Sequence, residues 1–219
     1  MNFIAATIEL RGHITDPINA YGLDYRGANG AVPGTGSNSE VRFRLLCYNR
    51  EGAKLDSFVN WKEGTRALIT GDIVFSDDPT QPLDLIVKTI ETNIPQTMYC
   101  NQVVLGNAFF GSDEIKDRKN DAIAIKIGSS LDNSDVVTWL FMETHSSRRK
   151  KVQDRVRKGR AICVHGYLRE YRKDETESAY RAIVASDFTT RKDRSSSAKN
   201  PATAGTAAGY AEVDPTPDY

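Results

Sequence analysis

The second half of the chain alternates apolar and polar residues in short runs, a pattern typical of strands with one buried face. The predicted strands cover 101–110, 121–129, 136–144, 161–171 and 180–188. A helical stretch over 147–158 follows the third strand, and a serine cap is expected to open it. Three strands, a short helix and two further strands is the order of elements in a five-stranded Greek-key barrel of the OB type.

The first half of the chain repeats this order. Residues 41–48 align with 136–143, and Gly71 aligns with Gly166, an offset of 95 residues. Residues 22–39 are rich in Gly, Asn and Ser and occupy the place of the second strand, so a long mobile loop or a poorly paired strand is expected there. The sequence therefore predicts an all-β protein with two consecutive five-stranded OB-fold barrels, each with a short helix. The first, degenerate domain covers 1–95 and the second covers 98–190.

The last part of the chain differs in composition. Residues 191–219 are dominated by small and polar residues, which cannot bury enough apolar surface to offset their ordering entropy, so a disordered C-terminal tail is expected. Its end concentrates acidic residues and finishes on an aromatic, the form of a peptide that binds a basic pocket. The predicted partner-binding residues are Asp214, Pro217, Asp218 and Tyr219.

Charge is segregated along the chain. The net charge is zero, but 1–95 carry 9 basic and 12 acidic residues whereas 96–194 carry 19 and 14. The segment 148–173 alone holds 11 basic and 2 acidic residues, a local density that would attract a phosphate backbone. No apolar run approaches the roughly 18 to 20 residues of a membrane helix, and no leader pattern opens the chain, so a cytoplasmic protein without a membrane partner is expected.

Strand alternation separates core residues from candidate contact residues. Around Trp139 and along 161–171, the residues that face away from the predicted core are aromatic or basic; in the first copy this set includes Leu46. Phe58 and Trp61 are assigned to core packing. An unpaired base stacks on an aromatic ring with about 1 to 3 kcal/mol, so such a face suits a single strand. The predicted DNA-binding residues are Arg42, Arg44, Tyr48, Lys126, Trp139, Phe141, His165, Tyr167, Arg169 and Tyr171.

Enzymatic chemistry has no support in the sequence. Paired carboxylates beside a basic strand, a nucleophile elbow and a phosphate-binding glycine loop are all missing. Three cysteines and three histidines stand without a second ligand at metal spacing, so no catalytic residue, metal or cofactor is predicted. Two alternatives to DNA binding stay open. One is an RNA-binding or primosome-type OB-fold module; the other is a protein-interaction scaffold with Trp139 and Phe141 buried at an interface.

Several motifs of the second copy resemble those of the bacterial-type single-stranded DNA-binding proteins, in particular forms with two OB domains in one chain. Val-Leu-Gly-Asn at 104–107 resembles the first-strand pattern, and Thr-Trp at 138–139 resembles the start of the third strand. Arg-Lys-Gly at 157–159, followed by Gly-Tyr-Leu-Arg at 166–169, is similar to the family's Lys-Gly, strand, Gly-x-Leu-x-x-Arg signature. The resemblance covers 100–190 more closely than 1–93.

This resemblance implies single-stranded DNA binding in replication, recombination and repair, and four OB domains per assembly, hence a homodimer. It also implies that the tail recruits replication and repair proteins. The family's tail ends in acidic residues followed by Pro-Phe, whereas this chain ends in Thr-Pro-Asp-Tyr. In the repeat alignment Arg44 stands where the family has the third-strand tryptophan, which implies weaker stacking or a mainly oligomeric role for the first domain.

Overall fold

The computed structural model describes residues 2–34, 40–75, 78, 80–130, 137–171 and 180–190. The predicted tail over 191–219, with Asp214, Pro217, Asp218 and Tyr219, lies outside the described residues. The same holds for Val136, the first residue of the predicted strand 136–144. No helix within the described ranges is long and apolar enough to cross a membrane.

The first half of the chain forms a closed five-stranded barrel. Its elements are β1 (Asn2–Ala20), β2 (Leu23–Val32), β3 (Val41–Tyr48), α1 (Ala53–Val59), β4 (Arg66–Val74) and β5 (Leu83–Glu91). β1 pairs with both β2 and β4, β3 pairs with β2 and, in parallel, with β5, and β4 pairs with β5. Alternate residues of β1 point into the barrel, so Ile4, Ala6, Ile8 and Leu10 are fully buried.

The second half repeats this closed order of strands. Its elements are β6 (Asn101–Asp117), β7 (Ala122–Ser130), β8 (Val137–His145), a 3-10 turn (Ser146–Arg148), α2 (Arg149–Arg155), β9 (Ala161–Tyr171) and β10 (Tyr180–Thr190). β6 pairs with β7 and β9, β8 pairs with β7 and, in parallel, with β10, and β10 pairs with β9. This confirms the predicted fold class of two consecutive OB-fold barrels, each with a short helix.

The glycine-rich segment after β1 differs from the sequence prediction. Residues 23–32 form β2, which pairs with β1 on one side and, from Tyr25 to Val32, with β3 on the other. Its small residues permit close packing: a Cβ on Gly30 would lie 2.7 Å from Cγ2 of Ile8. The expectation of a long loop or poorly paired strand was therefore wrong for 23–32, because the glycines reflect a crowded interior rather than a turn.

The helix of the second barrel is shorter than the predicted 147–158, and its predicted serine cap was wrong. The side chain of His145 accepts a hydrogen bond from the backbone N–H of Ser147 at 3.1 Å and so caps the 3-10 turn that precedes α2. The helix ends at Arg155 because Val156 adopts an extended conformation and is buried. Histidine took the capping role because it ends β8 directly before the turn.

Strand registers refine the internal repeat. Arg44 lies opposite Asp84, which lies opposite Val74, three residues after Gly71. Phe141 lies opposite Ala182, which lies opposite Arg169, three residues after Gly166. Relative to these glycines, Arg44 therefore occupies the position of Phe141, and Arg42 that of Trp139. The predicted alignment of 41–48 with 136–143 is shifted by two residues in this strand.

The two barrels share one continuous sheet. The first residues of β1, Asn2 to Ala6, pair antiparallel with β6 from Leu105 to Asn101, which completes a ten-stranded sheet. The amide of Asn2 also donates to Oγ of Ser129 at 2.7 Å. The predicted domain limits of 1–95 and 98–190 stay a prediction.

A buried ionic network forms a second connection between the barrels. Nε of Arg181 donates to Oε2 of Glu170 at 2.9 Å, and both residues belong to the second barrel. Arg181 also donates to the carbonyl oxygen of Gln81, and Nε of Arg42 lies 4.0 Å from Oε1 of Glu170, so both contacts cross to the first barrel. Glu170 is fully buried, so the carboxylate depends on these cations for its charge compensation.

Candidate nucleic-acid interface

The outer face of the second barrel gathers a row of predicted contact residues. On one side of Phe141 lies Lys126 of β7, and on the other lies Ala182 of β10, which in turn lies opposite Arg169 of β9. The inward residues Ile162, Val164 and Leu168 of β9 are buried, as strand alternation predicts. This pairing brings Lys126, Phe141 and Arg169 together on one surface although they are far apart in sequence.

Trp139 lies on the same face and is held in a defined position. Its indole ring packs over Gly111, where a Cβ would overlap the ring, and beside Gly128, where a Cβ would lie 3.0 Å from it. Phe109 contacts it edge-on with ring centroids 5.7 Å apart, and Nζ of Lys126 lies 4.5 Å from the indole centroid. The side chain is nevertheless 47% exposed, so it offers apolar aromatic surface to a partner beside a cation.

Phe141 is part of an aromatic stack that the sequence did not reveal. Its ring stacks on Tyr180 with centroids 5.1 Å apart and an interplanar angle of 26°. The guanidinium carbon of Arg118 lies 4.7 Å from the Tyr180 centroid and 5.3 Å from that of Phe141. Arg118 and Tyr180 were missed by sequence reasoning. Tyr180 could have been predicted from strand alternation, because it lies on the same face of β10 as Ala182 and Val184.

A buried carboxylate lies beside this stack. Oε1 of Glu143 accepts the hydroxyl hydrogen of Tyr180 at 2.7 Å, and Oε2 lies 3.6 Å from Nη1 of Arg169. Burial and, secondly, the hydrogen bond to Glu143 raise the pKa of the Tyr180 hydroxyl well above its usual value. Tyr180 is therefore a neutral donor at physiological pH, and Glu143 accepts from it at the edge of a cleft that Tyr171 and Arg118 also line.

The remaining predicted residues of β9 lie along the same strand without ring contacts to this stack. Tyr167 is exposed two residues before Arg169, and Tyr171 is exposed two residues after it. His165 is also exposed; its Nδ1 lies 3.2 Å from Oγ of Ser186, and its backbone pairs with Val104 of β6. His165 therefore lies toward the seam between the barrels, whereas Tyr171 lies toward the cleft.

In the first barrel, the predicted cations form internal ion pairs. Arg44 makes a two-bond contact with Asp84, at 2.7 and 2.6 Å, and the hydroxyl of Tyr21 donates to Oδ2 of the same carboxylate at 2.6 Å. The hydrogen bond to Asp84 raises the pKa of Arg44. Arg42 lies beside Glu170 in the network between the barrels. The structure thus compensates both charges within the chain.

Tyr48 and Leu46 are the remaining members of the outward set predicted for the first barrel. Arg50 lies over the ring of Tyr48 at 4.8 Å, and Tyr25 contacts that ring edge-on at 6.0 Å. The placement of Leu46 in the outward, exposed set was wrong: Leu46 is fully buried, and it pairs with Gly27, the small residue opposite Ile14. Phe58 and Trp61 are buried in the core, which confirms their assignment to packing.

The basic run before and within α2 is largely occupied by contacts within the barrel. Arg148 donates to the carbonyl oxygen of Ser186 at 2.6 Å, and Arg149 forms an ion pair with Asp117. Lys151 forms an ion pair with Asp187 at 3.0 Å. These contacts leave the aromatic face of β7, β8, β10 and β9 as the stronger candidate interface.

Comparison with known proteins supports the fold. The wild-type single-stranded DNA binding protein from Thermus aquaticus is similar in structure, with a TM-score of 0.55, 17% sequence identity, and coverage of 94% of this chain and 97% of that one. A deletion variant of that protein gives a TM-score of 0.56 at 15% identity, covering 87% of this chain and 94% of that one. In sequence, no protein-family model and no curated protein matches the chain. At these identities the likeness shows a shared fold, and the predicted resemblance is confirmed at that level.

Proposed function

We propose that this chain, which shares the fold of a single-stranded DNA binding protein, itself binds single-stranded DNA largely without sequence specificity. The observation that carries the proposal is the outer face of the second barrel, where an exposed Trp139 and a stacked Phe141 lie beside Lys126 and Arg118. Every unpaired base has an aromatic face and every linkage a negative charge. Such a surface therefore binds a single strand by stacking and charge, whatever its sequence.

The roles of the residues follow from their surroundings. Trp139 offers a stacking surface fixed from below by Gly111 and Gly128, so little side-chain entropy is lost on binding. Lys126 lies on one side of Phe141, and Arg169 lies on the other side beyond Ala182. The two cations can therefore contact phosphates on either side of a stacked base. Tyr167 and Tyr171 extend the aromatic surface along β9.

The wider role is proposed from the family resemblance. It comprises protection of single-stranded DNA in replication, recombination or repair, assembly of two chains into a four-barrel homodimer, and recruitment of other proteins by the tail over 191–219. A cytoplasmic, non-catalytic protein fits that role. RNA remains the competing ligand, because the same aromatic and basic face could stack its bases.

Tryptophan fluorescence provides the first test, since the two tryptophans differ in exposure: Trp61 is 3% exposed and Trp139 is 47% exposed. We expect dT oligomers to quench the fluorescence of the full chain and rU oligomers to bind more weakly. The logarithm of the binding constant should fall with the logarithm of salt concentration by about 0.7 per phosphate contacted. A flat salt response, or tighter binding of rU, would contradict the proposal.

Substitution of Trp139 tests the face itself. Trp139→Ala removes one stacking surface, so the Kd for labelled dT measured by fluorescence anisotropy should rise by about ten- to a hundredfold. Tyr99→Ala is the matched control, because Tyr99 is 62% exposed but lies in the segment between the barrels. Equal Kd values for the two variants would show that DNA does not bind at this face.

A further inference from the structure

A cleft of about 650 Å³ lies beside Tyr171 and Tyr180 in the second barrel. This volume lies within the about 300 to 1,000 Å³ that small-molecule sites occupy. Arg118, Arg169, Tyr171, Tyr180 and the buried Glu143 are among its lining residues. The cleft therefore combines aromatic surface with hydrogen-bond donors and an acceptor, which is the chemistry that recognises a nucleobase.

The rim of the cleft is a tight turn between β6 and β7. Asn120 and Asp121 have φ angles of 58° and 52°, in the left-handed region that these two residue types tolerate better than most. The backbone N–H of Arg118 closes the turn by donating to the carbonyl oxygen of Ala122 at 2.9 Å. The turn thereby holds Arg118 next to Tyr180, so this wall of the cleft is formed before any ligand binds.

Glu143 is the unexpected member of this site, because a carboxylate on a face of aromatic and basic residues repels a phosphate backbone. Only 5% of the residue is exposed. An ionised carboxylate offers about four lone-pair sites. Tyr180 occupies one of these sites and Arg169 lies near another. About two acceptor sites therefore remain for donors on a ligand.

The four bases differ in how well they match this arrangement. Guanine presents two adjacent donors, N1–H and N2–H, which a carboxylate can accept together, and its O6 and N7 accept from arginine. Thymine presents a single N3–H between two carbonyl oxygens that would face the carboxylate unfavourably. Adenine and cytosine each present one amino group beside a ring nitrogen acceptor.

We propose that this cleft is a subsite that selects one guanine base of a bound single strand, a proposal that rests on the proposed function. Glu143 accepts from N1–H and N2–H, an arginine of the cleft donates to the opposite edge, and the exposed ring of Tyr171 offers a stacking surface. The chain then binds most of the strand without sequence preference and reads a single position.

Single substitutions in a dT oligomer test this selectivity in the full chain. The oligomer has about 15 nucleotides, within the range that an OB fold covers, and one central dT is replaced by dG, dI, dC or dA. We expect the dG oligomer to bind about tenfold more tightly than dT, within the discrimination of a good bidentate base contact. Inosine lacks the 2-amino group, so the dI oligomer should lose most of this preference.

Glu143→Gln replaces one acceptor oxygen by a donor, and the ratio of the dT and dG Kd values should fall to about one. Glu114→Gln is the matched control with the same charge change on an exposed carboxylate, and the ratio should be retained. If Glu143→Gln does not fold, the comparison of dG with dI decides the question. Equal binding of dT and dG, or tighter binding of dC or dA than of dG, overturns the guanine subsite. Failure to bind any oligomer instead overturns the proposed function.

Discussion

The two barrels have the same strand order but use the charges on their outer faces differently. In the first barrel, Arg44 is bound to Asp84 and Arg42 faces Glu170 of the second barrel. In the second barrel, Lys126 and Arg118 lie over aromatic rings, as Arg50 does over Tyr48 in the first barrel. The contrast therefore concerns Arg42 and Arg44, the arginines of β3. The charge of an arginine in a two-bond ion pair is compensated by the carboxylate, so it attracts phosphate more weakly than a cation above a ring, which keeps its donors available.

The difference arises at equivalent positions of the two barrels. Positions that carry aromatic residues in the second barrel carry arginines in the first: Arg42 and Arg44 occupy the places of Trp139 and Phe141. One of these arginines stabilises its own barrel and the other joins the two. For the proposed DNA binding, we therefore expect the second barrel to contribute most of the affinity and the first mainly to support and orient it.

The largest effect is expected from removing Glu170, the carboxylate of the buried ionic network. Glu170→Ala leaves Arg181, which is itself buried, without the carboxylate of its ion pair, and such a loss costs about 3 to 5 kcal/mol. Urea unfolding of the full chain should show a correspondingly lower midpoint. Glu114→Ala removes an exposed carboxylate instead and should change the free energy of unfolding by about 0 to 1 kcal/mol. Similar midpoints for both variants would mean that the buried Glu170–Arg181 pair does not stabilise the folded chain.

Substitution of one cation on each face should change DNA binding by different, moderate amounts. Lys126→Ala removes a donor from the aromatic face, so the salt dependence of dT binding should weaken by about 0.7 in logarithmic slope, the value for one phosphate contact. Arg44→Ala should keep the slope of the wild-type chain, because Arg44 is already paired with Asp84. It should instead lower the free energy of unfolding by about 1 to 3 kcal/mol, since Asp84 loses two charged hydrogen bonds. An equal loss of slope in both variants would show that both barrels contact the strand.

Strand alternation predicted much of this arrangement, because the period of two is a local property of the sequence. It placed Trp139 on the outer face and Ile162, Val164 and Leu168 inside, and it located the strands of the second barrel. It failed where the outer face is itself covered, as at Leu46, and where glycines serve close packing, as in β2.

Contacts between distant segments could not be predicted in this way. Asp84 pairs with Arg44 across a parallel pair of strands, and Tyr180 stacks on Phe141 across another. Which cation is compensated and which is available depends on these registers, and a shift of two residues in the repeat alignment was enough to misplace Arg44. The sequence therefore indicated a binding face but not its division between the barrels.

The smallest effect concerns a feature that the two faces share, a tyrosine that donates to a buried carboxylate. Tyr21 donates to Asp84 and Tyr180 donates to Glu143. In both cases burial, followed by this hydrogen bond, raises the pKa of the hydroxyl. The folded state thus holds these protons more tightly than the unfolded chain, whose tyrosines have a pKa of about 10. The stabilisation is fully present below that pH and is lost as the pH rises through the folded pKa.

Alkaline titration of tyrosinate absorbance can compare the two pairs. We expect Tyr21→Phe and Tyr180→Phe each to remove absorbance change from the most alkaline part of the curve, by similar amounts. Such a result would show that the Tyr21–Asp84 and Tyr180–Glu143 pairs are alike. The two faces would then differ in their cations and exposed rings, not in these pairs. If only one variant alters the alkaline part, the other tyrosine does not donate to its carboxylate in solution. The likeness between the two faces would then end at the order of their strands.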